Sequence, residues 1–278
     1  MSFQEIPIID LQEAFDPATR SKFLEEVRDA IINVGFLLLK NYESLGPTEE
    51  DLQSIKQQAI EFFALPAKEK LQCEMLNSPH FLGYTRLANE ITASHTDWRE
   101  QIDLATELPA PKEGEPLYKN IEGPNLWPNP EVIPKFRPTI ERFIEKMTAL
   151  SNVFKDLVAE SIGVDPKALN RYFKENQQCK MKLIAYPDVS EDSDLITYIY
   201  QATEHQNSLQ VQNFQGHWIT VPNIPGHLVV NNGQTLQAIT GGVAKATIHR
   251  VLVPEKGTGT RISIPFFQTI DLDSSKVL

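Results

Sequence analysis

After Lys180 the sequence consists of short runs of β-branched and aromatic residues. This pattern limits the possible fold more than any other feature of the chain. Turn-forming residues separate the runs at regular intervals. Short strands spaced in this way are typical of a sandwich or a barrel. The predicted strands cover residues 181–186, 195–200, 208–211, 217–221, 227–231, 246–253 and 261–268.

The part of the chain before these runs has the periodicity of helices. Apolar residues recur at helical spacing within residues 23–34, 52–62 and 140–158. Thr48 and Asp51 stand before the second stretch as a near relative of a capping box. Helices first and strands later predict an α+β protein, in which helices pack outside a double-sheet jelly roll, the double-stranded β-helix.

Length and composition favour one integrated domain. A chain of 278 residues with 41% hydrophobic content can bury a sizeable core. Residues 108–134 are rich in proline and glycine, which indicates an irregular connection and not a linker between independent domains. We expect residues 1–110 to form a helix-rich region and residues 111–278 to form a long backing helix and the jelly roll.

The net charge and the cysteine content limit the kinds of molecule that the protein can bind and the cellular compartment in which we expect it. The formal net charge of −11 disfavours nucleic acid, because such binding draws on basic groups that contact phosphates. Cys73 and Cys179 lie far apart, so neither a disulfide framework nor a zinc ribbon is suggested. No signal peptide and no transmembrane run is evident in the sequence. A soluble cytoplasmic protein with a small-molecule partner and no membrane partner is the expectation.

An ordered series of short phrases runs through nearly the whole chain. Any one phrase occurs by chance, whereas their order and spacing are specific. The amino-terminal phrases are Ile6-Pro7-Ile8-Ile9-Asp10-Leu11, Gly35-Phe36, Phe62-Phe63-Ala64-Leu65-Pro66, Gly83-Tyr84 and Asp97-Trp98-Arg99-Glu100. The later ones include Ala185-Tyr186-Pro187, Leu195-Ile196-Thr197, Gly216-His217-Trp218, Val229-Val230-Asn231, His249-Arg250-Val251 and Arg261-Ile262-Ser263. Together they resemble the iron(II)/2-oxoglutarate-dependent oxygenases of the isopenicillin N synthase-like family.

The resemblance implies an iron site with one departure. Non-haem iron(II) oxygenases hold the metal with two histidines and one carboxylate and leave the remaining positions open. In the family a His-x-Asp pair comes first, and the second histidine stands before Arg-Val. By this match Asp192 and His249 are metal ligands and the catalytic pair, and Ser190 replaces the first histidine. A serine hydroxyl is a poor iron ligand.

His95-Thr96-Asp97 has the letters of the missing pair but lies in a segment that precedes the jelly roll in the family. We expect no strand pattern around it, and we interpret His95 as a surface or helix-start residue. His205 and His227 are alternative sources of a substitute ligand.

The resemblance also implies a binding site for the cosubstrate. The family's Arg-x-Ser, which holds the far carboxylate of 2-oxoglutarate, is matched by Arg261 and Ser263. A planar guanidinium suits bidentate carboxylate binding, and a hydroxyl adds a further donor. Tyr186 matches a tyrosine that supports the same ligand. The family's asparagine two residues earlier is Ile184 here.

Three hypotheses of function follow. The first is an oxygenase that uses Fe(II) and 2-oxoglutarate to oxidise a small organic molecule, in the biosynthesis of a secondary metabolite. The second is an iron-independent enzyme that catalyses a redox-neutral cyclisation, rearrangement or elimination, with Asp192 and His249 transferring protons. The third is a non-catalytic binding protein, since a shared fold does not secure a shared function.

Overall fold

The computed structural model describes residues 2–87, 90–92, 95–97, 99–174, 177–186, 196–204, 206–252 and 259–273. Five α-helices occur in these residues: α1 (Arg20–Asp29), α2 (Glu49–Ala64), α3 (Ala67–Lys70), α4 (Phe136–Ser161) and α5 (Gln234–Ile239). Among the described helices, none is both long enough and apolar enough to cross a membrane.

The strands of the described residues fall into three sheets. In chain order they are β1 (Ile8–Asp10), β2 (Phe36–Lys40), β3 (Gly83–Thr85), β4 (Glu90–Thr92), β5 (His95–Asp97), β6 (Glu100–Ala105), β7 (Lys180–Tyr186), β8 (Ile196–Gln201), β9 (Leu209–Gln212), β10 (Trp218–Thr220), β11 (Leu228–Asn232), β12 (His249–Val251) and β13 (Arg261–Gln268). An eight-stranded sheet has the order β1-β2-β11-β8-β13-β7-β6-β3. A three-stranded sheet has the order β10-β9-β12, and β4 pairs with β5. This arrangement confirms the predicted α+β class with a jelly-roll core.

The start of α2 shows how the sequence sets a helix boundary. The backbone N–H of Thr48 donates to Asp51 Oδ2 at 2.9 Å, and the N–H of Asp51 donates to Thr48 Oγ1 at 3.3 Å. Two of the amide groups that a helix leaves without intrahelical partners are satisfied in this way. The guanidinium of Arg142 on α4 also binds Asp51 and ties the two helices together.

The eight-stranded sheet has an apolar cluster on each face. On the outer face the helices pack against the sheet, where the rings of Phe62 and Phe136 lie 5.1 Å apart and those of Phe154 and Tyr198 lie 6.2 Å apart. On the inner face a smaller cluster fills the space between the two main sheets. It includes Phe36, Leu38, Ile184, Ile199, Leu209, Val211, Val229 and Val251.

Gly35 joins the amino-terminal helices to the inner face. α1 continues as a π-helical turn, Ala30–Val34, and Gly35 then has a φ of +77°. A Cβ atom at this position would collide with the hydroxyl of Thr247 and the carbonyl oxygen of Lys245. Only glycine therefore combines this backbone conformation with so close an approach.

Both parts of the chain contribute strands to the large sheet. The first 110 residues supply β1, β2, β3 and β6, and the later residues supply β7, β8, β11 and β13. The division at residue 110 stays a prediction.

Two local expectations were wrong. His95 does not begin a helix, because it lies in β5, where it pairs with Thr92 of β4. Pairing with β4 in a hairpin stabilises this strand, whereas the short polar segment alone gives no strand signal in the sequence. The strand predicted over residues 246–253 is shorter, since β12 covers only His249–Val251. Thr247, two residues before β12, donates its hydroxyl to the carbonyl oxygen of Val34, so this part of the chain contacts the amino-terminal segment and does not continue the strand.

Candidate active site

A pocket that is open to solvent lies between the inner face of the eight-stranded sheet and the three-stranded sheet. Its apolar wall comes from Ile184, Ile199, Leu209, Val251 and Pro265. Its polar wall comes from Arg99, Lys182, Tyr186, His249, Arg261 and Ser263. Four residues that the sequence proposed, namely Tyr186, His249, Arg261 and Ser263, therefore meet at one site.

The strand register explains why the three cosubstrate residues lie together. Successive side chains of a strand point to opposite faces, so Arg261 and Ser263 of β13 share the inner face. On β7, Tyr186 is the partner of Arg261 and Ile184 is the partner of Ser263. The pattern Arg-x-Ser thus places two polar side chains side by side above the pocket.

Arg261 is a buried cation with incomplete compensation. It is 2% exposed, and its guanidinium carbon lies 4.9 Å from the ring centroid of Tyr186. Its Nη1 has no hydrogen-bond partner among the described residues. Burial lowers the pKa of Arg261 from its usual value, and the interaction with Tyr186 acts in the opposite direction. A buried charge in this state is costly unless an anion pairs with it, so the site suits a carboxylate ligand.

His249 lines the pocket, and one of its ring nitrogens contacts the backbone. Its Nδ1 lies 3.2 Å from the carbonyl oxygen of Thr247, and its ring lies 5.2 Å from the ring of Phe36. When Nδ1–H donates to that carbonyl, the lone pair of Nε2 is left for a metal ion or for proton transfer. This is the tautomer that a metal-binding histidine uses.

The structure does not describe most of the other predicted metal ligands. Ser190, Asp192 and the alternative ligand His205 lie outside the described residues. His227 is described, but it does not line the pocket, and its Nδ1 lies 3.0 Å from the carbonyl oxygen of Pro225. In the described part of the chain, no group of three histidine, cysteine, aspartate or glutamate residues could hold a metal ion. His249 is thus the one predicted ligand that these residues place at the pocket.

Sequence reasoning missed Arg99 and Lys182 as residues of the pocket. Lys182 Nζ lies 3.3 Å from Asp103 Oδ1 on β6, and Arg99 stands directly before that strand. Lys182 faces the pocket because it is two residues from Ile184 on the same strand. That spacing was a usable signal, since Tyr186, four residues further along, was predicted to bind the cosubstrate.

Comparison with known proteins agrees with this architecture. Residues 6–130 match the model of the family "non-haem dioxygenase in morphine synthesis N-terminal", and residues 168–270 match that of the "2OG-Fe(II) oxygenase superfamily". The 2-oxoglutarate-dependent dioxygenase frbJ of Dothideomycetidae sp. (strain 11243) is 44% identical, over 99% of this chain and 77% of that protein. Homoarginine-6-hydroxylase 2-ODD-C23 of Glycine max is 31% identical, over 98% of this chain and 88% of that protein.

Solved structures show the same fold at lower identity. A full-length Neurospora crassa protein in complex with alpha-KG superposes with a TM-score of 0.78 at 22% identity, and the match covers 96% of this chain and 86% of that one. A putative 2OG-Fe(II) oxygenase family protein from Caulobacter crescentus gives a TM-score of 0.80 at 22% identity, over 96% and 87% of the two chains.

A jelly-roll enzyme with a cationic pocket between its two sheets is the class that the fold and the site define. More particularly, the chain belongs to the 2OG-Fe(II) oxygenase superfamily. It is an oxidoreductase of the dioxygenase type that acts on a small molecule, with Fe(II) and 2-oxoglutarate as its cofactors.

Proposed function

We propose that the pocket between the sheets binds 2-oxoglutarate through Arg261, Ser263 and Tyr186, beside a metal site formed by Asp192 and His249. The observation that carries this proposal is the buried guanidinium of Arg261, whose Nη1 has no partner among the described residues. The far carboxylate of 2-oxoglutarate supplies the missing anion. Ser263, on the same face of β13, is placed to donate its hydroxyl to that carboxylate.

Two observations support the metal site: His249 lines the pocket in the structure, and Asp192 matches the family's carboxylate ligand in the sequence. When bound there, Fe(II) supplies the activation of dioxygen, with decarboxylation of 2-oxoglutarate to succinate and oxidation of the organic substrate. His249 offers Nε2, and Asp192 offers a carboxylate oxygen. Because Ser190 stands at the remaining position, we expect weaker metal binding than in a site with two histidines. Changes outside the immediate ligands alone cost about 10- to 100-fold in affinity, so the loss of a ligand costs at least as much.

The substrate is a small organic molecule, and we place its oxidation in the biosynthesis of a secondary metabolite. The name of the Glycine max relative gives homoarginine as the compound it hydroxylates. A solved structural neighbour, JOX2, is described in complex with 2OG, Fe and JA. Both support a small metabolite as the substrate class.

The setting of the reaction follows from charge and burial. The net charge of −11 opposes binding to nucleic acid or to an anionic membrane surface. Both cysteines, Cys73 and Cys179, are buried as free thiols, which fits a reducing compartment. We therefore place the protein in the cytoplasm, with a small-molecule partner and without nucleic-acid or membrane partners.

The two other hypotheses are less favoured. A redox-neutral enzyme would need Asp192 to orient the imidazole of His249, but the Nδ1 atom of that ring faces the carbonyl oxygen of Thr247. A non-catalytic protein has no physical need to keep a buried guanidinium such as Arg261 beside an open pocket. The names of relatives at 44% and 35% identity also point to a dioxygenase.

Binding of 2-oxoglutarate to the Arg261→Met variant tests this function. We expect the ligand to raise the melting temperature of the unaltered protein, because a ligand that binds only the native state stabilises it. Arg261→Met should remove this effect. Arg250→Met is the matched control, because Arg250 on β12 donates to Gln210, lies over the ring of Trp218 and does not line the pocket. Equal protection of all three proteins would reassign the cosubstrate site.

A further inference from the structure

Gln201 stands at the end of β8, on the inner face of the large sheet. In the sheet register its partner on β13 is Ser263. Partners on neighbouring strands have Cβ atoms about 4.5–5.5 Å apart on the same face. The carboxamide of Gln201 therefore lies beside the hydroxyl that lines the pocket.

One atom of this carboxamide is buried without a hydrogen-bond partner among the described residues. Gln201 is 7% exposed, and its Oε1 has no hydrogen-bond partner among the described residues. Buried polar groups in native proteins are almost always hydrogen-bonded, so an unpaired one calls for an explanation such as a ligand. A carboxamide carries two N–H donors and a carbonyl acceptor, and rotation of its end exchanges the two sides.

The neighbours of Ser263 make the position of Gln201 specific. Ser263 has two cross-strand partners, Ile184 on β7 and Gln201 on β8. Ile184 has no polar atom in its side chain. Gln201 is therefore the one cross-strand neighbour of Ser263 whose side chain can donate a hydrogen bond.

We infer that Gln201 is a third cosubstrate-binding residue, whose carboxamide N–H donates to the same far carboxylate of 2-oxoglutarate that Arg261 and Ser263 hold. The inference rests on the proposed function of this pocket. Arg261 supplies the charge, and Ser263 and Gln201 supply neutral donors from two adjacent strands. The specificity of the site for a five-carbon dicarboxylate then depends on β8 as well as β13.

The test measures the dissociation constant of 2-oxoglutarate by calorimetry on the unaltered chain and its variants, without added metal. Gln201→Met removes the donor and keeps the length of the side chain. We expect it to weaken binding by about 10-fold or more, the range for a hydrogen bond to a charged group. Gln268→Met is the matched control, because Gln268 on β13 is also buried with an unpartnered Oε1 but lies at the other end of that strand, where its cross-strand partner is Ile196 and not a residue of the pocket. Gln268→Met should leave the dissociation constant unchanged.

A second variant separates contact with the ligand from support of the fold. Gln201→Glu places an ionisable group next to the carboxylate of the ligand. Its affinity for 2-oxoglutarate should fall as pH rises and the new carboxyl ionises, because like charges repel. The affinity of Gln201→Met should show no such additional fall. If Gln201→Met does not fold, Gln201→Asn, which keeps the amide but shortens its reach, should show the same weakened binding.

The possible failures are distinguishable. If Arg261→Met loses 2-oxoglutarate while Gln201→Met binds it as tightly as Gln268→Met, the role of Gln201 is refuted and the proposed function stands. If the unaltered protein itself does not bind 2-oxoglutarate, the cosubstrate assignment fails and the role of Gln201 fails with it.

Discussion

Arg261 and Tyr186 are partners across β13 and β7, and the guanidinium carbon lies 4.9 Å from the centroid of the tyrosine ring. The face of an aromatic ring attracts a cation but does not replace a counter-ion. The guanidinium keeps an unpartnered Nη1 among the described residues and a lowered pKa caused first by burial. Under the proposed function, the carboxylate of the ligand completes the compensation of this cation.

The free energy of unfolding of the ligand-free protein should show that Arg261 is a buried cation without a full counter-ion. We expect Arg261→Met to raise the free energy of unfolding by about 1–2 kcal/mol, because an apolar side chain of similar length removes a buried, poorly paired charge. Urea denaturation of the ligand-free protein measures the change. The same variant should lose 2-oxoglutarate binding, so stability and function would move in opposite directions. A loss of stability would mean that Arg261 is fully paired in the free protein.

Iron uptake should depend on Asp192 and His249. The double change Asp192→Ala with His249→Ala should abolish it, as measured by metal analysis after anaerobic loading. The control is His95→Ala with Asp97→Ala, which removes the same residue types from the β5 hairpin strand. Unchanged iron content in the first variant would refute the ligand assignment.

Restoration of the missing ligand should strengthen the metal site. Ser190→His should raise the affinity for Fe(II) by at least about 10-fold, since imidazole is a good iron ligand and a serine hydroxyl is not. Ser190→Ala should show no such gain. No increase in the histidine variant would mean that the register before β8 is wrong.

Gly35 should tolerate a side chain poorly. Gly35→Ala should reduce the free energy of unfolding by more than about 2 kcal/mol, because it adds a collision with Thr247 and Lys245 to an unfavourable positive φ. Gly163 is the control, since its φ is +81° and a Cβ there would meet nothing within 4 Å. Gly163→Ala should cost about 1 kcal/mol in the same denaturation experiment. Equal losses would show that contact with the segment before His249 contributes nothing.

The capping aspartate of α2 should make stability depend on pH. Burial opposes ionisation of Asp51, but hydrogen bonds from Arg142 and Thr48 outweigh it and hold the pKa of Asp51 below its ordinary value. A lowered pKa in the folded state contributes stability above the unfolded value, and this contribution is lost as pH falls. Asp51→Asn should therefore cost about 0.5–2 kcal/mol at pH 7, and the difference from the unaltered protein should shrink below about pH 4. Glu50→Gln should show a smaller difference, and a constant effect of Asp51→Asn at every pH would contradict the assignment.

The fold was largely predictable because its signals are local. The helical periodicity up to and including α4 and the short runs after Lys180 located most elements within a few residues. The strands β3, β4, β5 and β6 were missed. In β6, Ile102 and Leu104 face the helices, while Gln101 and Asp103 carry polar groups on the inner face, so the segment has no apolar run to mark it.

The sequence located residues of the pocket only where they belong to a motif of the family. The Arg-x-Ser pattern led to Arg261 and Ser263, and their place in the series gave His249. The proposed role of Gln201 was not predicted, because the relation of Gln201 to Ser263 depends on the pairing of β8 with β13, which the sequence does not state.

Binding of Fe(II) to metal-stripped protein, followed by anaerobic calorimetry with and without 2-oxoglutarate, tests the central claim most directly. The account predicts measurable Fe(II) binding that 2-oxoglutarate strengthens, since in the proposed site the cosubstrate would contact both the metal and Arg261. It also predicts that Arg261→Met removes the strengthening but not the metal binding. Absence of Fe(II) binding under both conditions would contradict an iron-dependent oxygenase and would favour redox-neutral chemistry or simple binding in this pocket.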